Sequence, residues 1–89
     1  MKIAKVPVVA YNTDEATFEF VIACLSSVAG MSRAQAVAKT DEINNTEMGV
    51  PVFIGEYLPE IAETIVDEIS EFNEINNFKF QVEVQSVTG

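Results

Sequence analysis

The sequence predicts an α+β fold: a small α/β sandwich ordered β-α-α-β-α-β with a three-stranded antiparallel sheet. Three observations predict it. Phe78 to Val84 alternates apolar and polar residues, as a strand with one buried face should. Phe18, Val21, Ile22, Leu25 and Val28 recur at three- and four-residue steps, the spacing of a helix with one apolar stripe. A second stripe, Ile61, Ala62, Ile65, Val66, Ile69 and Phe72, faces away from Glu60, Glu63, Asp67, Glu68 and Glu71.

The elements follow in order. Lys5 to Tyr11 reads as the first strand, with Pro7 confined to its start or to an unpaired position because it has no N–H to donate. Asn12 to Glu15 is a polar turn into a first helix over Thr17–Ala29, whose positive N-terminal pole favours Asp14, Glu15 and Glu19. Gly30 stops that helix. Ser32 and Gln35 have the spacing of a capping box and open a second helix that runs to Ile43, with Ala34, Ala36, Val37 and Ala38 small enough for close packing on the first. Asn44, Asn45 and Thr46 end it by competing for backbone hydrogen bonds.

Val50 to Ile54 reads as a short second strand ended by Gly55, and Pro51 suggests an edge position. Pro59 opens the third helix, where a missing N–H costs nothing. Asn76 and Asn77 turn the chain into the last strand. A helix between the second and third strands rules out a tight hairpin there. The simplest sheet puts the first strand in the middle, antiparallel to both others, with the helices on one face. One domain over 1–89 is expected, with 1–4 and 86–89 loose.

Bulk composition bounds the function. The chain has 89 residues, 48% of them hydrophobic, which suits one core and is too short for two domains. Five basic residues face fourteen acidic ones, for a formal charge of −9. That surface repels phosphate backbones and anionic lipid, so neither nucleic acid nor membrane is an expected partner. The N-terminus has no signal-peptide layout and no apolar run reaches about 18 residues, so a cytoplasmic protein is expected. The chain contains no histidine, and its single cysteine, Cys24, lies in an apolar run. A nucleophile–base pair therefore has no candidates, and the commonest zinc ligand is missing. No enzyme activity, cofactor or metal is expected.

The motifs then carry a resemblance. Asn12-Thr13-Asp14 ends the first strand, Ala16-Thr17-Phe18 and Glu19-Phe20-Val21 enter the first helix, and Leu25 follows. Met31-Ser32 with Ala36, then Glu60-Ile61-Ala62-Glu63-Thr64, come later in the same order. Together they resemble ClpS, the small adaptor that carries proteins with destabilising N-terminal residues to a Clp unfoldase. The resemblance runs from Val8 to Val84, with a segment between Asn44 and Tyr57 longer than the family's.

The resemblance implies a site. Family positions that hold a ligand's α-amino group, an Asn, an Asp and a His, correspond here to Asn12, Thr13 and Asn44, with Asp14 as a neighbouring acid. Positions of the apolar pocket correspond to Phe18, Val21, Thr40, Ile43 and Phe80; Phe18 stands for a gating Met, and Thr40 for a Met of the second helix. A buried ammonium needs several acceptors, and each charge-assisted bond contributes about 1.5–3 kcal/mol. Thr13 and Asn44 each lack a group that suits a cation, so a degenerate pocket is expected, weak for peptides with N-terminal aromatic or Leu residues. Asp14 and Asn12 also suit plain turn or cap roles. The unfoldase-facing surface corresponds to Glu60 and Glu63, whereas Ile65 stands where a lysine is usual. The resemblance implies an adaptor or modulator that docks on the unfoldase's N-terminal domain; the family carries an extended N-terminal arm that takes part in delivery, whereas eleven residues, most of them strand, precede Asn12 here, so docking without delivery is compatible with the pattern.

Two other readings compete. The C-terminal domain of the ribosomal stalk protein has the same layout, but its glycine- and lysine-rich helix junction is absent from Ser27 to Ser32. A structural or oligomerising module would fit if Phe53 and Tyr57 formed an exposed apolar patch.

Overall fold

The computed structural model describes residues 4–85. The elements run β1 (Val6–Ala10), α1 (Phe18–Ser27), α2 (Arg33–Asn44), β2 (Val52–Tyr57), α3 (Pro59–Asn76) and β3 (Val82–Val84). The expected loose ends, 1–4 and 86–89, lie outside the described residues except for Ala4, which is exposed.

The sheet order is β2-β1-β3, and β1 pairs antiparallel with both neighbours. This is the predicted α+β arrangement. Pro7 sits one residue into β1, where the loss of one donor is tolerated at the rim, and its carbonyl accepts from the Gln85 N–H at 2.9 Å. The helices cover one face. The core between them and the sheet holds Val8, Ala10, Ile22, Leu25, Ala36, Ile65, Ile69 and Phe80. Val9 points to the other face and is still buried. Its cross-strand neighbours are Phe53 and Glu83, and Glu83 accepts a hydrogen bond from the Tyr11 hydroxyl across that face.

The capping chemistry follows the sequence closely. The Thr17 hydroxyl accepts from the Phe20 N–H and caps α1, so Asp14 is not the cap. Gly30, at φ 79°, carries the chain away in the left-handed region that favours glycine. Ser32 and Gln35 form both bonds of the capping box. Asn45 and Thr46 turn their side chains back onto the Asp41 and Glu42 carbonyls. Pro59 stands in the first turn of α3, and Asn77, at φ 57°, ends it.

Several expectations need correction. Gly55 does not end β2; the strand continues to Tyr57. The register slips between Val8 and Val9, leaving an extra residue in β2, and a Cβ on Gly55 would meet the Tyr57 hydroxyl 3.0 Å away and its ring 3.2 Å away. Glycine there serves a bulge and a close approach rather than a strand end. The last strand is only Val82–Val84, because Phe78 to Gln81 bonds to the loop after β1 and to α3 instead. In α2 only Ala36, Thr40 and Ile43 are buried, so Ala34, Val37 and Ala38 face outward. In α3, Ile61 is 49% exposed and Phe72 37%, which narrows the buried stripe to Ala62, Ile65 and Ile69.

Cys24 is a buried hydrophobe on α1, 2% exposed. Burial pushes its thiol up to about 11 from an ordinary 9.0. The folded thiol thus keeps its proton where the unfolded one ionises. Stability is full below about pH 9 and falls as pH rises toward about 11, by at most about 1.4 kcal/mol per pH unit. Burial raises the Tyr57 hydroxyl as well, which adds a loss of the same sign that begins near its ordinary value of 10.0. Urea unfolding across that range should show the fall, and Cys24→Ala should flatten its lower part.

Candidate functional site

The C-terminal end of β1 is where three connections meet. The loop after β1 contributes Asn12, Thr13, Ala16 and Thr17 to a cavity there; α1 contributes Phe18 and Val21; the end of α2 contributes Thr40, Ile43 and Asn44; and Phe80 closes it ahead of β3. The cavity measures about 40 Å³. It holds more than one water's share of liquid, about 30 Å³, and falls well short of the about 150 Å³ that admits benzene in an engineered apolar cavity.

Two tethers fix its walls. The Asn12 side-chain amide donates to the Thr46 carbonyl at 2.9 Å and to the Asn44 carbonyl at 3.4 Å. Two acceptors on that side orient the amide, and its Oδ1 has no partner among the described residues. The second tether is Asn73 of α3. Its Oδ1 accepts from the Phe80 N–H at 3.0 Å and its Nδ2 donates to the Phe80 carbonyl at 2.9 Å. The side chain thus substitutes for a neighbouring strand before β3 begins. It holds Phe80, 1% exposed, against the cavity.

The remaining polar groups differ in commitment. Thr13 Oγ1 accepts from the Glu15 N–H at 3.0 Å. Asn44 is exposed, and its side chain has no hydrogen-bond partner among the described residues. Thr40 is 3% exposed, and its hydroxyl has no partner. Phe18 is half-exposed, so it forms a wall of the cavity and does not fill it.

Of the residues named from sequence, Asn12, Thr13, Asn44, Phe18, Val21, Thr40, Ile43 and Phe80 come together around this cavity. Asp14 is exposed and does not line it. Glu60 and Glu63 lie apart, exposed in the first turns of α3, while Ile65 is core at 3% exposure. Phe53 is 52% exposed, but Tyr57 is partly buried with its hydroxyl donating to the Ala29 carbonyl at 3.1 Å, so the two do not form the open apolar patch of a self-association module. Sequence reasoning missed Asn73. The available signal was its place four residues after Ile69 on the buried stripe of α3, where a polar residue needs a partner.

Fold and cavity describe a small α+β binding domain with a narrow pocket at one end of its sheet. The family model described as "ATP-dependent Clp protease adaptor protein ClpS" matches residues 2–83, and the chain belongs to that family. No curated protein matches it. Among solved structures it is similar to Agrobacterium tumefaciens ClpS2 bound to L-phenylalaninamide, with 21% identity, a TM-score of 0.77, and coverage of 94% of this chain and 100% of that one. At that identity the likeness shows the fold.

Asn73→Ala leaves the Phe80 N–H and carbonyl without their partners. A loss of about 2–4 kcal/mol in urea unfolding is expected from two unmade, part-buried bonds. Loss of amide-exchange protection at Phe80 should accompany it.

Proposed function

We propose that this chain is a non-enzymatic, cytoplasmic ClpS-type adaptor or modulator that docks on the N-terminal domain of a Clp unfoldase. In this reading the cavity is a narrowed, degenerate site for the N-terminal residue of a peptide. The observation that carries it is the convergence of the family-matched positions on one cavity. Asn12 offers a free amide oxygen to the α-ammonium, with Thr13 and Asn44 beside it. Neither neighbour carries a charge or an imidazole, so the ammonium loses acceptors that the family pattern supplies. Asp14 stands close in sequence, exposed outside the cavity, and adds favourable potential at longer range.

The docking surface in this reading is the exposed start of α3, with Glu60 and Glu63 facing a basic patch on the unfoldase. Titration calorimetry against a Clp N-terminal domain should give binding that weakens with salt, since rim charges are screened. Glu60→Lys with Glu63→Lys should lower the affinity about tenfold or more. Absence of heat for the unmodified chain at low salt and high concentration overturns the docking reading.

Peptides with N-terminal Phe or Leu should bind weakly or not at all, because two amine-holding positions are altered and Phe18 narrows the cavity. Losing one charge-assisted acceptor costs about 1.5–3 kcal/mol, roughly ten- to a hundredfold in affinity. Thr13→Asp with Asn44→His should restore amine-dependent binding in fluorescence anisotropy, and Asn12→Ala should remove it. Tight, Phe-selective binding by the unmodified chain contradicts the degenerate pocket.

A further inference from the structure

A groove runs between α1 and α3 and shares no residue with the cavity beside Asn12. It measures about 250 Å³ and is lined by Phe20, Ala23, Cys24, Ser27, Phe72 and Asn76. Phe78 packs on Phe20, with ring centroids 4.8 Å apart, and adds to its apolar wall. Phe72 is 37% exposed, and Ile75 is 76% exposed. Residues three apart on a helix share a face, so these two form one apolar ridge on the α3 side. The core does not account for them, since Ala62, Ile65 and Ile69 are the residues that α3 buries. Single exposed apolar residues are ordinary, but apolar side chains gathered on a groove mark an interaction surface. Phe72 lies about 18 Å along the helix from Glu60, so this surface is distinct from the start of α3.

We propose that the groove takes an amphipathic helix of a partner protein, with apolar anchors at helical spacing and lysine or arginine on its flanks. Charge selects the flanks. α3 carries six acidic residues and no basic one, and α1 carries Glu19 and no basic one. Glu68 and Glu71 stand one turn before Phe72 and Ile75, where they border the ridge. Arg33 approaches only to 3.9 Å from the Glu19 carboxylate, with both side chains exposed. The walls select the helix. Both sides of the groove are helices whose backbone groups are already bonded, so an extended segment would find no strand to pair with, whereas a helix satisfies its own backbone and lays apolar side chains between the two. A second copy of this chain would bring the same acidic face, and like charges repel.

The probe is a synthetic helical peptide of about fourteen residues, four turns, with Leu on one face and Lys on the other. Fluorescence anisotropy with the full chain should show binding that weakens with salt, and amide shifts should concentrate in α1 and the second half of α3. Replacing the probe's Lys with Glu should abolish binding. Ala23→Lys with Ile75→Lys, both at exposed positions, should weaken binding about tenfold or more. Ala34→Lys with Val37→Lys makes the same charge change on the exposed face of α2 and should weaken it less than about threefold. Equal losses in the two double variants reveal undirected charge attraction and overturn the proposal, as does absence of binding at low salt. Self-association in sedimentation velocity that Ile75→Lys removes gives the groove to a second copy and overturns it too.

Discussion

The bidentate grip of Asn73 on the Phe80 backbone is the constraint on which the rest of this small domain depends. The last strand is only three residues long, too short to place the segment before it by pairing alone. An amide side chain from α3 supplies the missing ladder: one donor and one acceptor, matched to the acceptor and donor of Phe80. Phe80 then closes the core, and the Lys79 N–H reaches the Glu15 carbonyl while the Tyr11 N–H reaches Gln81. The loop after β1 is therefore stitched to the chain's end. Buried backbone groups need partners, and here one side chain meets that need where the sheet cannot.

The same economy shapes the cavity. Asn12 ties the loop after β1 to the end of α2 through the Asn44 carbonyl, which the helix leaves open at its terminus, and the Thr46 carbonyl just beyond it. Neither acceptor takes part in the α2 ladder, so the tether competes with no helical bond. Its geometry also decides which face of the amide is left over, and that leftover oxygen is what an ammonium requires. Structural bonds pin the walls of the site at both ends, from the end of α2 on one side and from α3 on the other.

Much of the fold was legible in the sequence because periodicity and capping are local. The stripe of Val21, Ile22 and Leu25, the Ser32–Gln35 box and Pro59 at the start of α3 each state their structure within a few residues. What was illegible depended on partners distant along the chain. Gly55 reads as a strand end until the Tyr57 ring and the register slip against Val8 are known. Phe78 to Gln81 alternates like a strand, but its partners are a loop and a helix. Ile61 and Phe72 fall on the apolar period of α3, yet the fold leaves both exposed. The pocket residues were found through the order of motifs. The size of the cavity and the unpartnered Thr40 hydroxyl required three dimensions.

β2 lies at one side of the sheet, with its outer row of backbone groups not covered by another strand among the described residues. An open row of donors and acceptors invites the strand of another molecule. Here Pro51 stands just ahead of the strand and Glu56 lies within it, beside the half-exposed Phe53. The long-range guard is the charge of −9. With a sequence pI near 4.1, that guard dissolves on acidification. Colloidal behaviour thus carries its own pH dependence in this molecule: near its isoelectric point the repulsion that keeps copies apart is gone, and the open sheet edge is left unguarded.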